Sequence, residues 1–502
     1  MLKRSLPANG LRRAAKLTAT VTLVATLASC MVGPDYQAPN LFVPANWSTA
    51  RDNQSTRPAE LAYWWANLRD PQLDLLITRA IHSNKSVDVA KARVREARAT
   101  LGQETGKLAP SLETSSRVNR TKTSETAAVA NTDNVFTQYQ SGFDVSWEID
   151  LFGGKRRGVE AAKYGLDAAE EELRNTLLVL VGDVASNYVQ VRAAQARLAL
   201  GARTARSQRQ TAALTKAKLD GGSGTTADVA RVEALAASTE ADTPTYEISR
   251  TIAVNRLGVL LGLPPATLSA ELAKSKPIPR PRFPLPVGIP ADVLLSRPDV
   301  RLAERQLAQS TARIGVADAA RYPAISLTGN IASQALHVSD IAKNSTIGWA
   351  IGPAITVPLF KGGQLKASVD VARAARDQSF ATYEASVLTA MEDVENAIVS
   401  LSQQRQRSAK LAVAVAAYKR ADAAARTQYD TGTLNYLDLL DGQRQLYTAE
   451  GALIDSQLAV TSAYISLNKA LGGGWAGTLS TDKANGNSDT VRTASRKPAG
   501  GA

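Results

Sequence analysis

The chain has 502 residues, of which 21% are charged and 5% aromatic, and its formal net charge is +13. The positive charge is spread along the sequence, whereas nucleic-acid binding requires a concentrated basic face, so we expect no nucleic-acid partner. With Cys30 as the only cysteine and His82 and His337 as the only histidines, an intrachain disulfide and a Cys/His metal site are excluded. No catalytic or phosphate-binding spacing occurs in a strand-to-helix context, so the sequence predicts a protein that is not an enzyme.

Residues 1–29 have the features of a secretory signal peptide. Basic residues at positions 3 to 16 precede an apolar run from Leu17 to Ala28, which is shorter than the roughly 20 residues of a membrane-spanning helix. Leu27-Ala28-Ser29 before Cys30 resembles a bacterial lipobox, which predicts a lipidated Cys30 that anchors residues 30–71 to a membrane leaflet. We expect no cofactor other than this covalent lipid. An ordinary signal peptide with an incidental cysteine is the alternative.

The rest of the chain contains two copies of one plan, residues 72–263 and 291–473. Leu257, Leu261 and Gly262 recur as Leu467, Leu471 and Gly472, and Gly222 and Asp228 recur at the same offset as Gly432 and Asp438. The copies are separated by a proline-rich connector, residues 264–290. Residues 474–502 form a polar tail that we predict to be disordered.

Each copy is predicted to run helix, strand pair, very long helix, turn and second long helix. Period-two alternation marks four strands, near 112–118, 139–147, 325–331 and 349–357, and 121–134 reads as an exposed loop. The segments Gly154–Gly222 and Gly363–Gly432 contain no proline and predict helices of about 100 Å, at about 1.5 Å per residue. Small and apolar residues at 4-3 spacing favour coiled-coil packing of these helices. A solvent-spanning stalk with no lumen is the alternative.

The number of strands limits what one chain can do in a membrane. The smallest transmembrane barrels have about eight strands, so four strands cannot close one. An open sheet edge in lipid leaves unpaired backbone groups that cost several kcal/mol each. Either the sheet never enters a membrane, or several chains pool their strands, as a closed homo-oligomer does.

Five motifs lie at residues 30–39, 64–65, 147–153, 296–301 and 322–329. They resemble the outer membrane factor family, the TolC-like lipoprotein-type channels of resistance-nodulation-division (RND) efflux systems. The resemblance extends from about residue 30 to residue 475. It implies a mainly α fold with a small β part, in which a homotrimer forms a twelve-stranded outer-membrane β-barrel continued by a periplasmic α-helical barrel.

The same resemblance implies a location in the outer membrane, lipid-anchored and extending into the periplasm. The protein is then the exit duct of a tripartite system and passively conducts drugs or other small molecules from an inner-membrane RND pump and a periplasmic adaptor. A metal-ion efflux conduit of the same architecture is an alternative. A non-conducting, lipid-anchored periplasmic coiled-coil scaffold is another.

Two glycine-centred turns, at Gly222 and Gly432, are predicted to reverse the long helices. Thr225 and Asn435 then look like N-caps of the helices that follow. By family likeness these turns are the periplasmic tips that contact the adaptor.

The resemblance also implies a pore gate made of Tyr429, Leu437, Asp441 and Arg444. Leu437 and Asp441 would line rings across the pore, while Tyr429 and Arg444 hold neighbouring helices shut. The plain alternative is a surface pair between Asp441 and Arg444 at i, i+3. Asp430 stands where the family often has an arginine. The first repeat has Arg231 at the position of Asp441.

Overall fold

The computed structural model describes residues 31–41, 44, 47, 61–122, 124, 135–281 and 297–476. The predicted signal peptide and the lipidation of Cys30 lie outside these residues. So do most of the predicted 121–134 loop, residues 282–290 of the predicted connector and residues 477–502 of the predicted tail.

The described chain is mainly helical, with one four-stranded sheet. In the first repeat, helices α1 and α2 precede strands β1 and β2, and helices α3, α4 and α5 follow them. In the second repeat, α6 precedes β3 and β4, and α7 and α8 follow. The bounds are α1 Pro71–Ser83, α2 Lys85–Gly106, β1 Ser111–Lys122, β2 Val135–Ile149, α3 Gly154–Asp220, α4 Thr226–Ala241, α5 Thr243–Leu260, α6 Pro298–Ala319, β3 Ala324–Ala335, β4 Ile347–Thr356, α7 Gln364–Asp430 and α8 Tyr436–Ala470.

The two very long helices predicted from the absence of proline are present. Helices α3 and α7 contain 67 residues each. None of the described helices combines the length and the apolarity needed to cross a membrane.

The prediction of a single second long helix in each repeat is wrong for the first repeat. There the segment is divided at Asp242 into α4 and α5, with Pro244 in the first turn of α5. Proline lacks a backbone N–H and its ring clashes with the preceding turn, so it is accepted at a helix start and not in a helix interior. In the second repeat α8 is continuous over 35 residues, and Ile454 occupies the position equivalent to Pro244.

The four strands form one antiparallel sheet in the order β1-β2-β3-β4. Its register places apolar residues opposite one another on one face, as in the row Phe143, Ile331 and Trp349. Because side chains alternate between the two faces of a strand, the neighbouring positions form the other face. The sheet thus sorts its side chains into an apolar face and a polar face.

The chain divides into two compact units. The sheet unit contains the described residues within 31–41, 89–173 and 298–389, and the helical unit contains the described residues within 44–88, 174–297 and 390–476. In the sheet unit, the guanidinium of the buried Arg157 donates to the carbonyl oxygens of Val32 and Gly33 and to the carboxylate of Asp35, the last at 2.7 Å. This arginine therefore attaches the N-terminal segment to the start of α3.

The helical unit has a buried polar network of its own. The hydroxyl of Tyr188 donates to the Asp70 carboxylate at 2.5 Å, and Arg192 donates to the Tyr188 hydroxyl at 2.9 Å and to the Gln72 side chain at 2.7 Å. Asp70 also caps α1 by accepting from the backbone N–H groups of Gln72 and Leu73. Burial, and then the hydrogen bond to Asp70, raise the pKa of Tyr188 above its ordinary value. The network ties α3 to the start of α1.

Candidate functional site

The apolar face of the sheet is exposed to an unusual degree. Trp349 is 75% exposed and Ile351 is 68% exposed. Large contiguous apolar surfaces on a folded protein mark contacts with a membrane or a partner. The residues of this face on the four strands include Leu112, Val118, Tyr139, Phe143, Val145, Trp147, Ile325, Leu327, Ile331, Trp349, Ile351 and Ile355.

The opposite face carries polar, charged and small side chains. Glu113 lies opposite Asp144, which lies opposite Asn330, which in turn lies opposite Ala350. Both faces are accessible, so the arrangement suits a boundary that is apolar on one side and aqueous on the other.

The two outer strands, β1 and β4, are each paired along one edge within the described part of the chain. An edge strand presents a row of N–H and C=O groups that can accept another strand. In an apolar medium those groups require a partner, since each unsatisfied one costs several kcal/mol. The sheet is therefore suited to join other strands at both edges.

Gly222 and Gly432 each have a φ of +77°, in the left-handed region that favours glycine. The caps predicted after these turns are confirmed. The Thr225 hydroxyl accepts from the backbone N–H of Asp228 at 3.1 Å, and the Asn435 side chain accepts from that of Asp438 at 2.9 Å. Local sequence therefore determines how both helical hairpins reverse.

A small apolar cluster, here called the tip cluster, lies near these turns and joins four helices. Its buried members come from α3, α4, α7 and α8 and are Ala212, Val232, Tyr429, Tyr436 and Leu439. Only 4% of Tyr429 is exposed, and its ring centroid is 5.8 Å from that of Tyr436. Burial raises the pKa of Tyr436 above its ordinary value.

Tyr429 also contacts α3 through polar groups. The Lys218 ammonium lies 3.6 Å from the centroid of the Tyr429 ring and donates to the Tyr429 carbonyl oxygen at 3.3 Å. The hydroxyl of Thr215 lies 3.5 Å from that of Tyr429. The cation beside Tyr429 is thus supplied by Lys218, which belongs to the first repeat.

The other predicted gate residues lie on the exposed side of α8. Leu437 lies one helical turn before Asp441 on α8 and is 51% exposed. Arg444 donates to Asp441 at 2.8 Å, and Gln445 also donates to this carboxylate. Within one chain Asp441 and Arg444 thus form the i, i+3 surface pair that was the alternative to a gate. Tyr429 lies apart from this pair, in the tip cluster. The gate role of these four residues stays a prediction.

Sequence reasoning missed a polar cavity of about 520 Å³ lined by α3, α7 and α8. In it, Glu450 pairs with Arg203 at 2.6 Å and with Lys419 at 2.9 Å. Gln208 is 1% exposed, and both polar atoms of its amide lack a hydrogen-bond partner. A buried polar group without a partner costs about 1–3 kcal/mol. The unpaired amide of Gln208 therefore reduces the stability of the packing between these helices.

Groups of three or more His, Cys, Asp or Glu side chains arranged to hold a metal ion do not occur among the described residues.

Comparison with known proteins gives a consistent result. The model of the family described as "Outer membrane efflux protein" matches residues 76–263 and 289–473. The chain is 33% identical over 450 residues to nodulation protein T of Rhizobium leguminosarum bv. trifolii, covering 89% of this chain and 95% of that protein. It is 32% identical over 457 residues to the solvent efflux pump outer membrane protein SrpC of Pseudomonas putida, covering 89% of this chain and 96% of that protein.

Among solved structures, the outer-membrane channel OprN superposes with a TM-score of 0.83 at 31% identity, covering 89% of this chain and 100% of that one. These matches confirm the fold class and the family resemblance deduced from the motifs. The chain belongs to the outer membrane efflux protein family, a family of outer-membrane channels.

Proposed function

We propose that this protein is the exit channel of a tripartite efflux system. In this proposal it passively conducts small organic molecules that an inner-membrane RND pump and a periplasmic adaptor deliver to it. The observation that carries the proposal is the sheet with sorted faces and two free edges.

Three copies satisfy the requirements of this sheet. Twelve strands exceed the minimum of about eight for a closed transmembrane barrel, and closure pairs both free edges. The apolar face then contacts lipid, and the polar face with Glu113, Asp144 and Asn330 lines the lumen. Cyclic symmetry produces such a ring from identical copies.

The helical hairpins supply the periplasmic part of the duct. The turns at Gly222 and Gly432 stand at the ends of the two long helices, where an adaptor can reach them. In a trimer, Leu437 and Asp441 of three copies face the axis and form the constriction. Three carboxylates close together favour cations and repel anions by Coulomb's law. The adaptor opens the constriction by moving α7 and α8 away from α3.

The proposed substrate class is supported by the name of a relative. SrpC, at 32% identity, is named for solvent efflux, which supports apolar organic compounds as cargo. Passive conduction accords with membership of a channel family, because the driving force then resides in the pump. The lipid on Cys30 would keep each chain at the membrane during assembly.

A cell lacking the gene provides the test of cargo. We expect the deletion strain to retain an apolar fluorescent dye and to become sensitive to organic solvents, with both defects restored by the intact gene. Unchanged dye efflux together with increased metal-ion sensitivity would instead support the metal conduit. Normal efflux of both kinds of solute would contradict the proposal and favour the scaffold.

A further inference from the structure

The apolar face of the sheet carries charge at one end only. Among the described residues of this face on the four strands, the charged ones are Arg120 and Lys122, and both lie at the end of β1. Their side chains are exposed. The residues directly opposite them on β2, Thr137 and Val135, carry no charge. The face therefore ends in two cations that the opposite strand does not neutralise.

The N-terminal segment shows which end of the sheet this is. The backbone N–H of Val32 donates to the carbonyl oxygen of Phe152 at 3.1 Å, just after β2 ends. A lipid on Cys30, two residues before Val32, would therefore enter the leaflet on this side. Helix α3 begins at the same end of the sheet, and the channels of this family extend into the periplasm. Arg120 and Lys122 lie at the other end, away from the periplasm.

The distance along the strands matches the thickness of a bilayer. Trp147 and Tyr139 lie eight residues apart on one face of β2, and Thr137, opposite Arg120, is two residues beyond Tyr139. With a rise of about 3.4 Å per residue and a strand tilt of about 40°, Arg120 lies about 26 Å from Trp147 across the membrane. Membrane barrels have an apolar band about 25 Å tall between two girdles of aromatic residues. Arg120 and Lys122 are therefore at the boundary of the outer leaflet.

We propose that Arg120 and Lys122 bind the phosphate groups of an anionic lipid in the outer leaflet, whose acyl chains lie on the apolar face. Arginine matches a phosphate with two parallel N–H donors, and lysine adds a compact positive charge. Val118 and Tyr139, next to the cations on the same face, supply an apolar surface for the chains. The inference rests on the proposed function, since it requires this face to contact lipid.

The signs of the charges favour a lipid over two solvated cations that bind nothing. The polar face of the first two strands carries both signs, with Glu113 and Asp144 beside Arg117. The apolar face carries positive charge alone, gathered within three residues of one strand. A local excess of one sign attracts a partner of the opposite sign.

Binding of purified lipopolysaccharide, a phosphate-bearing lipid, tests this site in the full-length particle extracted in detergent. The parent protein is compared with Arg120→Gln, with the double variant Arg120→Gln/Lys122→Gln, and with the control Arg117→Gln. Arg117 lies on the same strand but on the polar face, so the control removes an equal charge from the other face. Lipopolysaccharide treated with alkaline phosphatase separates the contribution of phosphate from that of the acyl chains. Excess inorganic phosphate at constant ionic strength separates a lipid site from a site for the free ion.

One cation near an anionic lipid surface changes the affinity about five-fold. We therefore expect Arg120→Gln to weaken binding about five-fold and the double variant to weaken it about thirty-fold. Arg117→Gln should bind as the parent protein does. The dephosphorylated lipid should bind the parent protein as weakly as the intact lipid binds the double variant. Inorganic phosphate should not displace the intact lipid, because it has no acyl chains to place on the apolar face.

Parent-like binding by the double variant would overturn the inference. Equal weakening by Arg117→Gln would assign the attraction to net charge, and tight binding of the dephosphorylated lipid would assign it to the acyl chains. Displacement by inorganic phosphate would identify a site for the free ion, and each of these three results would also overturn the inference.

The native mass and the conductance of the same particles separate this inference from the proposed function. A conducting particle of three chains that fails the binding tests would leave the proposed function standing. A particle of one chain without conductance would contradict both.

Discussion

The Lys218 ammonium lies over the face of the Tyr429 ring, 3.6 Å from its centroid, and donates to the backbone carbonyl of the same residue at 3.3 Å. Lys218 belongs to α3 and Tyr429 to α7, so this contact joins the two long helices one turn before each reverses. A cation on an aromatic face contributes about 0.5–2 kcal/mol, depending on its exposure. The contact therefore joins α3 to α7 beside the turns at Gly222 and Gly432.

Replacing Lys218 with methionine keeps the length of the side chain and removes its charge. We expect Lys218→Met to weaken the α3–α7 contact by about 0.5–2 kcal/mol and to raise the open probability of single channels in planar bilayers. Lys216→Met, at an exposed position two residues away, is the matched control and should behave as the parent protein. Identical open probabilities for all three proteins would show that this contact does not restrain the tip.

Asp441 distinguishes a gate from a surface ion pair. An exposed i, i+3 pair is worth about 0.2–0.5 kcal/mol, so Asp441→Ala should hardly change stability on either view. If Asp441 lines a gate, Asp441→Ala should also raise the single-channel conductance and lower the preference for cations over anions. The reversal potential in a salt gradient measures this preference. Asp370→Ala removes a similar intrahelical pair with Arg373 in the sheet unit and should leave both quantities unchanged. Equal effects of the two substitutions would eliminate the gate.

Neighbouring positions on β4 test the assignment of the sheet faces. Ile351 lies on the apolar face and Ala350, next to it, on the polar face. An arginine on a lipid-facing position costs about 2–4 kcal/mol near the bilayer midplane, so Ile351→Arg should sharply reduce the amount of assembled protein in outer-membrane fractions. Ala350→Arg should assemble normally. If Ala350→Arg lost more assembled protein than Ile351→Arg, or if both variants lost the same amount, the two faces would be assigned wrongly.

Tyr188 predicts how stability depends on alkaline pH. Burial and the hydrogen bond to Asp70 raise its pKa in the folded state, while unfolded tyrosine has a pKa of about 10. Its contribution to stability is therefore complete below about pH 10 and is lost as the pH rises further toward the folded-state pKa. We expect urea unfolding in detergent to become easier above about pH 10.

Tyr188→Phe removes this group. It leaves Asp70 with one donor fewer, so it should cost about 1–3 kcal/mol near neutral pH and make the alkaline loss shallower. Tyr418→Phe, at a partly exposed position, is the control and should change neither quantity. If Tyr188→Phe lost stability above about pH 10 as steeply as the parent protein, the alkaline loss of stability would arise from other tyrosines.

Much of the fold was predictable because it is periodic. The alternation of Phe143, Val145 and Trp147 marked a strand, and the proline-free segments marked α3 and α7. Thr225 and Asn435 were predictable as caps because capping depends on residues three positions apart. The division of the first-repeat hairpin at Asp242 was missed, although Pro244 was a local signal for it.

The candidate site was less accessible to sequence reasoning. Arg444 and Asp441 are three residues apart, so their pairing was one of the alternatives from the start. Lys218 and Tyr429 are separated by 211 positions, and no local pattern connects them. The same holds for the unpaired amide of Gln208, which is buried only because three helices pack around it.

The central claim is that identical copies close around a shared axis to form a pore. The most direct measurement combines the native mass of the detergent-extracted particle with its conductance in planar bilayers. We predict a mass of three chains and discrete, cation-preferring conductance steps that Asp441→Ala enlarges. A well-folded particle with the mass of a single chain and no conductance in either form would contradict the account.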